Sequence, residues 1–194
     1  FDAIRSISSS TIKDELVPRY ARQVEAGNEH AEAIYNGIMS LTTDSATITS
    51  LTDKIEKIRK LKTGMESPSF TYQNIEGQTI SLSDLKGKYV YIDVWATWCG
   101  PCLREIPALK QLESDYHDSN IEFVSISIDV ADDFDKWQNM VADKKLQGIQ
   151  LFADKDWQSD FVKAYAIDGI PRFIVIDDQG NIVDPNAPRP SDPK

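Results

Sequence analysis

The segment YVYIDVWATWCGPC, residues 89–102, joins an apolar run to both cysteines of the chain. Residues 89–96 are apolar on both sides of an extended backbone, which is typical of a strand in the middle of a sheet covered by helices. The pattern from residue 100 to about 117 is helical, and Pro101 suits the first turn of a helix. Cys99 is therefore predicted to lie where a central strand ends and a helix begins.

The chain after residue 66 alternates between strand and helix patterns. Residues 70–88 contain two short alternating stretches around Gly77, which indicates a β-hairpin. Further strands are predicted at 121–129, 149–154 and 172–177, and further helices at 132–143 and 156–166. This alternation predicts an α/β fold in which helices cover both faces of a mixed sheet.

The first third of the chain, residues 1–65, is predicted to be a separate helical segment. Four apolar residues near its end recur at helical steps after two candidate capping residues. They are Leu51, Ile55, Ile58 and Leu61, after Thr49 and Ser50. Residues 42–47 are interpreted as a linker between helices. Because apolar stripes of this kind are packing faces, no chemistry is assigned here.

The charge of the chain argues against nucleic acid and anionic membranes as partners. The net charge is −10, and residues 65–194 hold 12 Lys and Arg against 22 Asp and Glu. A surface of that sign repels phosphates. The sequence also lacks a run of about 18 apolar residues of the kind that crosses a bilayer, so no transmembrane segment is predicted.

The acidic run DVADDFDKW, residues 129–137, is interpreted as a solvated loop and helix start. Asp is favourable at helix caps and in first helical turns. A metal site would instead need carboxylate oxygens at an ordered spacing that this run lacks.

Two cysteines separated by two residues can form half of a zinc site, a disulfide staple or a redox pair. Zinc needs four ligands, and the two histidines, His30 and His117, have no second ligand at close spacing. A disulfide across so short a loop removes little entropy from the unfolded chain, which makes it a weak staple. Redox exchange is favoured, because a helix N-terminus stabilises the Cys99 thiolate. Cys99 would attack a partner disulfide, and the more shielded Cys102 would resolve the mixed disulfide.

The quoted residues carry a family resemblance. YIDVWATWCGPC, residues 91–102, followed by GIPRFIVIDDQGNIV, residues 169–183, resembles the thioredoxin superfamily. WCGPCLREIP, residues 98–107, is most similar to its TlpA and ResA branch of thiol-disulfide oxidoreductases. The resemblance covers roughly residues 66–185 and implies a thioredoxin-like domain over residues 66–194.

The resemblance also bears on both ends of the chain. Members of the family continue into a final helix that covers the sheet, and this helix is missing after residue 185. Similar helical segments precede the thioredoxin domain in envelope proteins of Bacteroidetes-type bacteria, so residues 1–65 are interpreted as the tail of a larger N-terminal region. Because the chain has no initiator Met, it is expected to be a fragment. A signal peptide or lipid anchor could have been removed with the preceding segment.

Several site residues follow from the resemblance rather than from spacing. Gly169, Ile170 and Pro171 match the loop that holds a cis proline facing the cysteines, where an ordinary trans proline is the default. The backbone of Ile170 would pair with an extended substrate chain, and the proline would keep metals off the thiols. Substrate contact is expected at five residues. They are Trp98, Gly100, Pro101, Gly169 and Ile170.

Two carboxylates are added to the predicted catalytic set of Cys99, Cys102 and Pro171. Asp93 matches the buried acid of thioredoxins, with a raised pKa, and would accept or return the proton of Cys102. The alternative is an exposed Asp at a strand end. Glu105 lies one helical turn after Cys102 and could tune its acidity, although Glu is common in early helical turns.

The predicted function is exchange of protein disulfides through the CGPC dithiol, in the direction of reduction. Its partners would be protein disulfide or dithiol substrates and an upstream thiol reductant, with no metal or organic cofactor. The expected location is the periplasm or cell envelope, from the family resemblance. Two alternatives remain: a redox-inert thioredoxin-fold adaptor, and a thiol peroxidase, which would need Thr where this chain has Ala96.

Overall fold

A computed structural model describes residues 10–153 and 155–192, with side chains from residue 16 onward. The chain divides into two compact units, residues 1–61 and residues 62–194. None of the helices in the described part of the chain has the length and apolar character that crossing a bilayer requires.

Three helices lie in the described part of the first unit. They are α1 (Ser10–Ala21), α2 (Ala31–Met39) and α3 (Ser45–Ile58). The residues at helical spacing in α3 are buried, namely Leu51, Ile55 and Ile58, as is Leu61 just beyond it. Arg59 at the end of α3 pairs with Glu32 of α2 at 2.8 Å, an ion pair on the surface of this unit.

The start of α3 differs from the sequence expectation. The N-cap is Asp44, whose side chain accepts the backbone N–H of Thr47 at 2.7 Å. Thr49 and Ser50 lie inside the helix, and the predicted linker 42–47 overlaps its first turn. The apolar stripe does not reveal this earlier turn, because its exposed residues carry no periodic signal.

The second unit is built on a seven-stranded mixed sheet with flanking helices. The strands are β1 (Thr71–Asn74), β2 (Thr79–Ser81), β3 (Tyr89–Trp95), β4 (Ile121–Ser127), β5 (Ile149–Phe152), β6 (Arg172–Ile176) and β7 (Ile182–Asp184). Their order is β2-β1-β5-β4-β3-β6-β7. Strand β3 pairs in parallel with β4 and antiparallel with β6, as expected for a central strand. The predicted α/β fold is confirmed.

The helices of this unit connect the strands. They are α4 (Gly100–Asp115), α5 (Phe134–Lys144) and α6 (Asp160–Ala164). The predicted helix over 156–166 is in fact a 3₁₀ turn at Asp156–Gln158 followed by α6. Ser159 separates them, because its side chain caps α6 by accepting the N–H of Val162 at 3.4 Å.

The two faces of β3 have different surroundings. Successive side chains of a strand point to opposite sides of the sheet. Tyr91 lies in a buried cluster with Leu109 of α4, so Asp93, two residues further, points to the same side. Ile92 and Val94 are fully buried on the opposite side. The central strand therefore directs one carboxyl group towards the helix that begins at the cysteines.

Candidate active site

The two cysteines lie at the junction of β3 and α4. Cys99 is the N-cap of α4, and its Sγ accepts the backbone N–H of Cys102 at 3.2 Å. Pro101 occupies the first turn, where its missing N–H costs no helical hydrogen bond. Cys99 and Cys102 form a disulfide with their Cα atoms 5.3 Å apart. The sequence therefore places a reducible bond at the positive end of a helix.

The exposure of the site is uneven. Cys99 and Cys102 are 3% and 4% exposed, so in the disulfide form Cys102 is not the more shielded of the two, contrary to expectation. Trp98 beside them is 51% exposed. Its ring lies 6.3 Å from the ring of Trp157, a residue that the sequence analysis did not connect with the site. These two aromatic rings form one rim of the disulfide site.

The loop between β3 and α4 is held by Asp129, which is fully buried. Its carboxylate accepts the backbone N–H of Thr97 at 2.9 and 3.1 Å and the Thr97 hydroxyl at 2.6 Å. It also accepts the Ser127 hydroxyl at 2.7 Å. The loop that carries Cys99 is therefore fastened to the end of β4 by charge-assisted hydrogen bonds.

The expectation of a solvated loop at 129–137 is wrong for Asp129. Strands β3 and β4 are parallel, so their carboxyl ends meet at one edge of the sheet, and Asp129 follows β4 at that edge. A carboxylate directly after a buried parallel strand was the signal that could have found it. The rest of the run fits the expectation better, since Asp132 and Asp135 are exposed.

Asp93 lies in the middle of β3 and is 9% exposed, so it is not an Asp at an exposed strand end. Its Oδ1 accepts the hydroxyl of Ser125, the paired residue of β4, at 2.5 Å. Burial raises the pKa of Asp93 to about 7, an effect that the Ser125 hydrogen bond opposes and the negative charge of Glu113 increases. This carboxyl group can therefore hold or release a proton near neutral pH.

The Ile170–Pro171 bond is cis, as the family resemblance implied. Pro171 directly precedes β6, whose first residue, Arg172, pairs with Val94 of β3. The proline therefore lies beside the end of β3, next to the loop that leads to the cysteines. Gly169 is exposed and Ile170 partly so, like Gly100 and Pro101 on the helix side, which leaves backbone accessible near the site.

Glu105 is 7% exposed on α4. Its carboxylate accepts the backbone N–H and the hydroxyl of Ser191 at 3.2 and 3.0 Å, and Arg189 lies 3.8 Å away. The segment after β7 thus contacts this carboxylate, which the sequence analysis did not foresee. Glu105 also lines one small cavity together with Cys102, Asp93 and Pro171, so four of the predicted catalytic residues adjoin a single space.

The described residues include no cluster of three His, Cys, Asp or Glu side chains that could hold a metal ion. His30 and His117, considered above as zinc ligands, instead lie beside Glu29 and Asp118 respectively on the surface. The groups that the structure places at the site include two sulfur atoms, the buried carboxyl groups of Asp93 and Glu105, and exposed backbone.

A CxxC disulfide at a strand–helix junction, beside a cis proline and a buried carboxyl group, defines a thioredoxin-like thiol-disulfide oxidoreductase. Comparison with known proteins gives the family. Residues 62–192 match the model of the Redoxin family. The thiol-disulfide oxidoreductase ResA of Bacillus thuringiensis subsp. konkukian is 32% identical over 127 residues, which cover 66% of this chain and 70% of that protein.

Solved structures agree with this match. The solution structure of a Bacteroides vulgatus protein described as a thiol-disulfide oxidoreductase is 54% identical, with a TM-score of 0.59, over 69% of this chain and 86% of that one. A Chlorobium tepidum protein described as thiol:disulfide interchange protein DsbE is 28% identical, with a TM-score of 0.56, over 63% of this chain and 83% of that one. The chain belongs to the Redoxin family, and within it resembles the TlpA and ResA type, as the sequence motifs indicated.

Replacing Thr97 by Val tests the anchoring of the loop. The substitution keeps the β-branched shape but removes the hydroxyl that donates to Asp129, and it is expected to lower the free energy of unfolding by about 1.5 to 3 kcal/mol. Thr79→Val, at an exposed position of β2, is the matched control. Denaturant unfolding of both variants measures the difference, and equal stabilities would contradict the anchoring role.

Replacing Asp93 by Asn tests the buried acid through the pH dependence of stability. Between the ordinary pKa of 3.8 and the folded pKa of about 7, the unfolded chain is ionised while the folded chain keeps the proton. The free energy of unfolding must therefore fall as the pH rises through this window. We expect Asp93→Asn to reduce the fall between pH 5 and pH 8 by about 2 kcal/mol.

Part of that fall should remain in Asp93→Asn, because burial also raises the pKa of Glu113 to about 7. Asp143→Asn, at an exposed position of α5, serves as the control and should leave the fall unchanged. Urea unfolding across this pH range gives the measurement. An Asp93→Asn variant with the same pH dependence as the wild type would show that Asp93 has an ordinary pKa.

Proposed function

We propose that the chain reduces disulfides in extracytoplasmic proteins, with the Cys99–Cys102 dithiol as the electron donor. The observation that carries the proposal is the position of Cys99 at the N-terminus of α4, where its sulfur accepts the N–H of Cys102. Hydrogen bonding and the helix dipole both stabilise a thiolate at this sulfur. Cys99 is therefore the attacking residue and Cys102 the resolving residue.

The reaction proceeds in two exchanges. The Cys99 thiolate attacks one sulfur of the substrate disulfide, and the other substrate sulfur leaves as a thiolate that takes a proton from solvent. Cys102 then loses its proton, and its thiolate attacks Cys99, so that the Cys99–Cys102 disulfide forms and the second substrate sulfur leaves. Two electrons pass from the dithiol to the substrate. An upstream thiol reductant restores the dithiol, and the electrons move without a metal or organic cofactor.

Asp93 is proposed to accept the proton of Cys102 in the second exchange and to return it when the disulfide is reduced. Its position favours this role, because it adjoins the same cavity as Cys102 and has a pKa of about 7. Glu105 adjoins that cavity as well, and we propose that its charge tunes the acidity of Cys102. Its hydrogen bonds to Ser191 hold this carboxylate in place.

The substrate is proposed to bind as an extended chain beside the disulfide. Gly169 is exposed and Ile170 partly exposed, directly before the cis Pro171, which has no backbone N–H. Trp98 contributes a half-exposed aromatic surface directly before Cys99, and the exposed Gly100 and Pro101 follow that cysteine. We therefore propose a protein segment with accessible backbone as the substrate.

The direction of the reaction and its location rest on resemblance. The Gly-Pro dipeptide between the cysteines resembles that of reducing thioredoxins. The ResA and DsbE relatives support a role in disulfide exchange outside the cytoplasm, in the periplasm or cell envelope. We further propose that residues 66–194 carry the reaction, and that residues 1–65 belong to a neighbouring region.

The equilibrium potential of the Cys99–Cys102 pair tests the reductant assignment. Such pairs span roughly −120 mV for strong oxidants to roughly −270 mV for reducing thioredoxins, and a value near the reducing end is expected. The protein is equilibrated in glutathione or dithiothreitol buffers and its free thiols are alkylated and counted. A potential near the oxidising end would overturn the assignment, and a pair that does not equilibrate would indicate a redox-inert adaptor.

A further inference from the structure

A small cavity lies behind the disulfide, between the sheet and α4. It extends along the helix from Cys102 past Asp93 to Glu113, and Gln150 of β5 lines it from the sheet. Its volume is about 20 Å³, measured as the space open to the centre of a water molecule. A space of this size holds about one water, provided that polar groups line it.

Three polar atoms of the lining residues have no hydrogen-bond partner among the described residues. They are Glu113 Oε2, Gln150 Oε1 and Trp95 Nε1, and their residues are 8%, 5% and 3% exposed. An unpaired buried polar atom costs about 1 to 3 kcal/mol, and a water in this space that bonded to these atoms would offset that cost. We refer to this cavity, which has unpaired polar atoms among its lining residues and adjoins Cys102, as the chamber.

Glu113 reaches this chamber because of its place on α4. It follows Cys102 by three helical turns, which puts both residues on the same face of the helix. The loop before β5 covers it closely, since a Cβ on Gly148 would come within 3.2 Å of Glu113 Oε1. Lys110 and Gln147 also line the chamber, and Gln147 is exposed to solvent.

The other ionisable groups around the chamber are few. Among the described residues that line it, the sheet contributes Asp93, and α4 contributes Glu105 and Lys110 besides Glu113 and Cys102. Lys110 donates to the carbonyl of Lys144 at 2.5 Å, and Glu105 is bound by Ser191. Burial raises the pKa of Glu113 to about 7, while the charge of Lys110 opposes this rise. Asp93 and Glu113 are thus two buried acids of similar proton affinity.

We propose that Glu113 is a second acid of the site, which exchanges a proton with Asp93 through this chamber and so sets the pH at which Asp93 can accept the proton of Cys102. The inference rests on the proposed function, because it deepens the proton transfer of the second exchange. Glu113 touches neither sulfur in that step, so it is a positioning residue for the proton and not a catalytic one.

The proton of Cys102 is transferred first to Asp93 and then to Glu113. The S–H bond of Cys102 breaks, its electron pair stays on sulfur, and the proton binds the Asp93 carboxylate. The Cys102 thiolate attacks Cys99, and the substrate sulfur leaves with the electron pair of the mixed disulfide. Asp93 then passes its proton through the chamber to the Glu113 carboxylate, which releases it to solvent past Gln147. In the reverse direction the same two acids return a proton to Cys102.

The first test is the titration of Asp93 in the oxidised protein, followed by the NMR signal of its carboxyl carbon. Glu113→Gln keeps the shape of the side chain but removes a negative charge, so the Asp93 midpoint should fall by about half a pH unit or more. Coupled groups affect each other equally, so Asp93→Asn should lower the midpoint of Glu113 by a similar amount. Glu76→Gln makes the same charge change at an exposed turn and should leave both midpoints unchanged.

The second test follows the Cys102 step with a chromogenic aryl disulfide, whose second thiolate is released only when Cys102 attacks. The acid limb of this rate against pH should move to lower pH in Glu113→Gln, by the same shift as the Asp93 midpoint, and should stay in place in Glu76→Gln. The inference would be overturned if the Asp93 midpoint were unchanged in Glu113→Gln. It would also be overturned if that midpoint shifted while the acid limb of the rate against pH stayed in place. The titration is measured without turnover, and the redox potential that tests the proposed function is measured without any Glu113 variant. A failure of this inference is therefore distinguishable from a failure of the proposed function.

Discussion

The hydrogen bonds between Asp129 and Thr97 hold the loop on which the rest of the site depends. They join the end of β4 to Thr97, which lies two residues before Cys99, at the edge where two parallel strands finish together. With that loop fixed, Cys99 becomes the N-cap of α4, and the backbone N–H of Cys102 donates to its sulfur. The reactivity of Cys99 is therefore a consequence of strand order as much as of the CGPC sequence.

The same arrangement places carboxyl groups in a buried site, where their ionisation reduces the stability of the fold. A strand covered on both faces normally carries apolar side chains, and β3 does so except at Asp93. Burial of this carboxyl group, and of Glu113 on α4, raises both pKa values to about 7, so the free energy of unfolding falls as the pH rises from the ordinary pKa values towards 7. In the proposed function this carboxyl group accepts the proton of Cys102 near neutral pH, and on that proposal the stability of the sheet is linked to the chemistry of the disulfide.

The features of the fold and site that leave a local pattern of residues could be predicted from the sequence. The features that depend on residues distant along the chain could not. The apolar run before Cys99 predicts the central strand and the strand–helix junction, because burial and helix capping leave local signals. The cis bond before Pro171 came only from family resemblance. Asp129 and Glu113 were missed because their environment is set by residues distant along the chain, in a parallel strand pair and in the loop before β5.

The reduction of insulin by dithiothreitol, in the presence of the wild type, Cys99→Ser or Cys102→Ser, tests directly whether Cys99 is the attacking cysteine. We expect rapid insulin precipitation with the wild type and only the background rate with Cys99→Ser, because Cys99 is the cysteine at the N-cap of α4. Cys102→Ser should lose turnover but accumulate a mixed disulfide at Cys99. Equal rates for the wild type and Cys99→Ser would show that Cys99 is not the attacking cysteine.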